Sequence, residues 1–278
     1  MSDSPRSIPD WVVALISRSK DADGTPPFSD GAQIGYRQGS YELVAIDEDA
    51  AALASEVDME FVVDPRSRGY GIGTQMLEML LLRSSAAQFW AHGDHPAARA
   101  LAASHGLAPV RQLLHLSAEL PTTAGLDARN PAVVGNSTIA TFAVGQDEDE
   151  WVALNAVTFA SHPEQGSVTR ADLEQLEAEP WFSADNFLVL RQDGRMIGYC
   201  WLKVEDARGE FYVVGISPEH QGEHFGATLF DAGLARLAAL GIRDAHLYVE
   251  ADNAPALRLY RARGFAQDAI DILYSQTP

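Results

Sequence analysis

The sequence predicts an α/β protein made of two tandem copies of one fold, each with a mixed β-sheet. Three observations carry that expectation. Residues 210–265 read as strand, glycine-bearing turn, long helix, strand and short helix. Residues 59–107 run through the same series, with Asp94 standing to Gly106 as Asp252 stands to Gly264. Between them, residues 121–136 hold Pro121, Gly125, Pro131 and Gly135 with little periodicity, which marks a linker. The expected domains are therefore 1–125 and 136–278.

Taken in order, residues 11–19 read as an amphipathic helix, 21–29 as a loop carrying Gly24, Pro26 and Pro27, and 30–37 as a second helix. Segments 41–46, 51–57 and 59–63 are short and apolar enough for strands, and Asp64-Pro65 stops the last because proline gives no ladder hydrogen bond. Helix 76–83 and strand 89–92 complete the first copy. In the second, the pattern predicts strand 138–144, helix 149–159 and helix 170–178 with Thr169 as its N-cap. Strands 187–191 and 196–204 flank Asp193-Gly194, a strong hairpin signal. Strand 210–216 ends at Ser217-Pro218, a long helix follows 221–227, and strand 245–250 precedes the last short helix. The acidic run 147–150 reads as a charged helix start and 47–49 as a turn.

Composition limits the function classes. The chain has 278 residues, 46% of them hydrophobic, ample for two cores. A formal net charge of -19 argues against a nucleic-acid backbone or an anionic membrane as partner. One cysteine, Cys200, excludes an internal disulfide and suits a reducing cytoplasm; it is expected to be a buried small hydrophobe. No apolar run is long enough to span a membrane, residues 1–10 lack a secretion-signal layout, and no metal-ligand spacing is present. A cytoplasmic monomer is expected.

The chemistry concentrates in a few residues. A glycine-bearing turn feeding a helix N-terminus presents backbone N–H groups and a positive dipole end to an anion such as a phosphate. Both copies have one, at Arg68-Gly69-Tyr70-Gly71-Ile72-Gly73 and at Gln221-Gly222-Glu223-His224-Phe225-Gly226-Ala227. Only the second copy adds a carboxylate and a phenol, Glu210 and Tyr260; the matching positions in the first are Val57 and Ala102. By themselves, Tyr260 reads equally as a core tyrosine, Glu210 and Lys203 as solvated strand residues, and His224 as a surface helix residue.

Gln-x-x-x-x-Gly-Ala, followed by Asn-x-x-Ala-x-x-Leu-Tyr-x-x-x-Gly-Phe, resembles the acetyl-CoA core of the GNAT acetyltransferase superfamily. The family has glycine where this chain has His224, so a side chain stands where close backbone approach was free. The likeness extends further. Asn155-x-x-x-Phe159-Ala160-x-His162-Pro163-Glu164-Gln165-Gly166, Glu179-Pro180-Trp181-Phe182, Trp201-x-Lys203-Val204 and Phe89-Trp90-Ala91-His92-Gly93 resemble the mycothiol synthase family, whose members are tandem GNAT proteins.

That resemblance implies acetyl transfer from acetyl-CoA to the cysteinyl amine of desacetylmycothiol, with Glu210 as base and Tyr260 as acid. Glu164, Lys203, Tyr248, Glu210 and Asp30 would contact the substrate. Val214, Gly215 and Ile216, the turn Gln221, Gly222, Glu223, His224, Phe225, Gly226 and Ala227, and Asn253, Ala254, Pro255, Ala256, Leu257 and Arg258 would hold acetyl-CoA. In the first copy Val62, Val63, Arg68, Gly69, Tyr70, Gly71, Ile72 and Gly73 would do the same without turnover. Two other readings stay open: a GNAT enzyme for another amine, such as an aminoglycoside or a protein N-terminus, and a non-catalytic acetyl-CoA-binding regulator.

Overall fold

The computed structural model describes residues 6–121, 136–160 and 165–276. These fall into two compact units. The first comprises Met1–His115, Glu250–Asn253 and Gln267–Pro278, and the second Leu116–Val249 and Ala254–Ala266. This contact-based division differs from the sequential one expected at 125–136. The C-terminal end of the chain packs with the first unit, and so does the short link at Glu250–Asn253.

In the first unit, helices α1 (Asp10–Asp23) and α2 (Asp30–Gln38) precede strands β1 (Glu42–Ile46), β2 (Ala50–Ala54) and β3 (Asp58–Val63). Ser29 caps α2 by accepting a hydrogen bond from the Ala32 N–H, and Gly24 ends α1 in the left-handed conformation, φ 79°. Helix α3 (Ile72–Leu81) crosses from β3 to the parallel strand β4 (Gln88–His92), and α4 (Pro96–Ser104) leads into β5 (Leu107–Glu119). The sheet order is β1-β2-β3-β4-β11-β5, with β11 (Ala266–Gln276) antiparallel to β4. Met76, Leu77 and Leu80 of α3 press on Ala52, Met59 and Phe89 to form the core, while Val12 and Leu15 of α1 cover the other face at Ala51, Leu53 and Val62.

The second unit runs β6 (Ser137–Thr141), α5 (Glu148–Thr158), α6 (Arg170–Glu177), β7 (Phe187–Gln192), β8 (Arg195–Glu205), β9 (Arg208–Ile216), α7 (Phe225–Ala239), β10 (Asp244–Glu250) and α8 (Ala254–Arg261). Its strand order is β5-β10-β9-β8-β7-β6, β5 entering this unit after His115. Thr169 and Asp172 form a reciprocal capping box at α6. Asp193 and Gly194 both take positive φ, 48° and 80°, as a two-residue hairpin turn of the β7–β8 pair demands. Trp201 stacks on Phe187, ring centroids 4.4 Å apart, and Trp151 meets both edge-on. Cys200 is fully buried in β8, and burial pushes its thiol pKa up.

Most expected elements are present within a few residues, but β5 and β11 had no counterpart in the sequence reading. Pro109 lies inside β5 and argues locally against a strand. In β11 the buried residues Ile272, Leu273 and Tyr274 are consecutive, so neither a period of two nor of 3.6 shows. Among the described residues no helix is long and apolar enough to cross a membrane.

Candidate active site

In the second unit β9 and β10 pair in parallel from Arg208↔Asp244 to Phe211↔Leu247. Beyond that point β9 continues to Ile216 and β10 to Glu250 without pairing each other, so the two strands part. The register of β9 against β8 also shifts there, from Leu202↔Phe211 to Trp201↔Val213, leaving Tyr212 as the extra residue of a bulge. Bulges bend a strand and re-aim its side chains.

Glu210 stands just before this opening. It lies opposite Lys203 on β8 and opposite His246 on β10, and cross-strand partners share one face of a sheet. Glu210 Oε2 is 3.8 Å from His246 Nε2, with side chains 17% and 14% exposed. Lys203 Nζ lies 3.0 Å from Glu205 and over the Trp181 ring, 5.3 Å from its centroid. A partly buried carboxylate between two basic side chains, still in reach of solvent, can accept a proton from a cationic amine.

The turn after β9 carries Gly222 at φ 86° and His224 at φ 65°, ψ 6°, and no side chain caps α7. Its first-turn N–H groups form an anion-binding end. His224 is exposed and keeps the same left-handed backbone that Gly71 adopts at φ 85°, ψ -2°. The histidine therefore leaves the turn's shape intact, at a conformational cost of about 1–2 kcal/mol. Gly215 has a packing reason: a Cβ there would lie 2.7 Å from the Tyr199 ring. Val214 and Ile216 are half-buried on β9.

Tyr260 sits on the buried face of α8, 8% exposed, against Phe230 and Phe265 with centroids 4.9 and 6.4 Å away. Burial raises its pKa, so the phenol keeps its proton at neutral pH. Ala254, Pro255, Ala256, Leu257 and Arg258 form the start of α8, whereas Asn253 closes the segment that belongs with the first unit. Tyr248 is half-exposed on β10. Asp30 is exposed in the first turn of α2 in the first unit, and Glu164 lies outside the described residues.

The first unit repeats this layout. Strands β3 and β4 pair from Asp58↔Gln88 to Glu60↔Trp90 and then part. Between them opens a cavity of about 600 Å³, lined in part by Val62, Val63, Gly71, Trp90, His92 and Ala102. Gly69, Gly71 and Gly73 stand at its α3 end, again with no side-chain cap. Tyr70 is 82% exposed and Ile72 opens the helix. The Arg68 guanidinium is held by Asp23, with both N–O distances 2.7 Å, and its Nε donates to the Val63 carbonyl. The Arg68 hydrogen bond keeps Asp23 below its ordinary carboxylate range.

The first unit also holds an ionic cluster that the sequence reading missed. His92 Nδ1 is 3.1 Å from Asp271 on β11, and Nε2 is 3.4 Å from Glu60 on β3. Ser29 donates its backbone N–H and hydroxyl to the same Glu60 at 2.6 and 2.7 Å. Burial alone would depress the imidazole pKa, but the bonds to Asp271 and Glu60 outweigh it and lift it to about 10. The run Phe89-Trp90-Ala91-His92-Gly93 was visible in the sequence; its carboxylate partners were not. His246, beside Glu210, was likewise missed, because a histidine in an apolar strand gives no local sign of what stands opposite.

Comparison with known proteins adds the chemistry of relatives. The acetyltransferase (GNAT) family model matches residues 151–265. A mycothiol acetyltransferase of Clavibacter michiganensis subsp. michiganensis is 43% identical over 278 residues, covering 95% of this chain and 90% of that protein. One from Streptomyces bingchenggensis is 37% identical, with 95% and 91% covered. Among solved structures, a GCN5-related N-acetyltransferase from Sphaerobacter thermophilus aligns with TM-score 0.69 at 20% identity, covering 95% and 90% of the two chains. A tandem GNAT protein from the clavulanic acid biosynthesis pathway gives 0.68 at 15% identity, covering 96% and 94%. At such identities the structural likeness concerns the fold alone.

Proposed function

The chain belongs to the mycothiol acetyltransferase family, and from that membership we propose that it moves the acetyl group of acetyl-CoA onto the cysteinyl amine of desacetylmycothiol. The observation that carries the mechanism is the place of Glu210, at the point where β9 and β10 part and beside the β9 bulge.

In this reading the thioester arm lies between the parted strands, and the pyrophosphate meets the uncapped start of α7 at Gln221, Gly222, Glu223, His224, Phe225, Gly226 and Ala227. Glu210 removes a proton from the substrate ammonium, directly or through one water. The freed amine attacks the thioester carbonyl, the carbon–sulfur bond breaks, Tyr260 gives its proton to the leaving thiolate, and the second proton shed by the attacking nitrogen returns to the phenolate through solvent. The products are an amide and free coenzyme A. Its raised pKa keeps Tyr260 protonated for that step, so it serves as acid and not as base. Lys203, Tyr248 and Glu164 are proposed substrate contacts. An acceptor rich in hydroxyls with one cationic amine suits a site of carboxylates and polar side chains. The net charge of -19 favours such a small cation over nucleic acid. The proposal takes the chain to work as a cytoplasmic monomer.

The test is release of coenzyme A thiol across a panel of amines: desacetylmycothiol, an aminoglycoside and a peptide N-terminus. Desacetylmycothiol should lead in kcat/KM by about 100-fold or more. A faster turnover of another amine would move the assignment to that amine. No thiol release from any, with acetyl-CoA still bound, would make the chain a binder.

A further inference from the structure

The cavity of the first unit has polar and apolar groups in its wall. Its mouth is formed by the Gly69 and Gly71 turn at the uncapped start of α3, beside the Arg68–Asp23 pair. Leu77, Phe89, Ala102, Leu107 and Tyr274, each no more than 6% exposed, also line it. Ala102 stands where the second unit has Tyr260, so the phenol that fills the corresponding helix face there has no counterpart here. The His92 imidazole also borders the cavity, 13% exposed, with Nε2 3.4 Å from Glu60. Both of its nitrogens face carboxylates, Glu60 and Asp271, so it borders the cavity as part of that cluster.

A helix start fit for an anion and a set of buried apolar side chains along the same cavity describe an amphiphile with a phosphate head and a hydrocarbon tail. We propose that the first unit is a binding site for acyl-coenzyme A thioesters with tails of about four to six carbons, longer than acetyl. The tail takes the space that Ala102 leaves beside Leu77, Phe89 and Leu107. This rests on the reading that the first unit holds a coenzyme A thioester at all, and it narrows that reading to a ligand class. Ala102 offers no phenol where the second unit has Tyr260, so the unit is proposed to bind without turnover.

The full-length protein is titrated calorimetrically with coenzyme A, acetyl-CoA and hexanoyl-CoA. Hydrogen–deuterium exchange assigns each binding event to residues 61–77 and 96–107 of the first unit or to 211–231 of the second. The expected result is that hexanoyl-CoA protects the first unit at concentrations at least tenfold below those acetyl-CoA needs, since each buried methylene contributes roughly a fourfold gain. Ala102→Leu, which fills the tail space, should erase that gap while acetyl-CoA affinity changes less than about threefold. Equal or weaker binding of hexanoyl-CoA in the first unit overturns the proposal while leaving a two-site protein. No protection of the first unit by any of the three ligands overturns the two-site reading itself. Should Ala102→Leu fail to fold, the wild-type comparison decides alone.

Discussion

The two units open their sheets at the same place but equip the openings differently. In each, a pair of parallel strands parts after three or four paired residues, facing a helix start with no side-chain cap. In the second unit the opening adjoins a bulge, and Glu210 precedes it with His246 and Lys203 on either side. In the first, β2 and β3 keep regular register from Ala50↔Val63 to Ala54↔Met59, so the strand is straight where the other is bent. Its charges are engaged with one another: Arg68 with Asp23, and His92 with Glu60 and Asp271. The contrast teaches that one fold can open the same pair of strands in both copies and still set different charged side chains beside the opening. Function rests on the site grafted to the fold and not on the fold.

Four measurements would break or sharpen that contrast. The largest expected effect is from Glu210→Gln, which keeps the shape and removes the base. Turnover should fall about 100-fold or more with acetyl-CoA affinity unchanged. Steady-state rates that stay near wild type would dissolve the division of labour between the units. Tyr260→Phe should cost roughly tenfold or more in kcat, again without loss of acetyl-CoA binding. A change in KM alone would return Tyr260 to the core.

The third measurement addresses the first unit. A histidine whose folded pKa is raised contributes stability that is complete below its unfolded value of about 6.5 and is lost as pH rises through about 10. Thermal melts should therefore fall more steeply between those limits for the wild type than for His92→Gln. Parallel curves would mean that the pairing with Glu60 and Asp271 adds nothing. The smallest effect is at the two turns. His224→Gly relieves a left-handed side chain but loosens the unfolded chain, for a net gain of about 0.5 kcal/mol. Denaturant midpoints would show it, and a clear loss would mean that the imidazole makes a contact worth more than the strain.

The sequence alone determined most of the local structure. Helices announced themselves through apolar spacing and caps such as Thr169. The β7–β8 hairpin announced itself through Asp193-Gly194, and the two glycine turns through their repeat. It also singled out Glu210 and Tyr260, because the motifs that carry them are contiguous. These signals are readable because each depends on residues a few places apart.

What only the tertiary structure decided are the pairings between distant segments. Nothing local in residues 266–276 says that this strand belongs beside β4, or that Asp271 will meet His92 there. Nothing in β9, β8 and β10 taken singly says that Lys203, Glu210 and His246 share one face. Register between strands is fixed by burial of whole faces across the sheet, and a one-residue slip would turn every side chain over. The chain spells its elements locally, but the neighbours of a charge are chosen by that global fit.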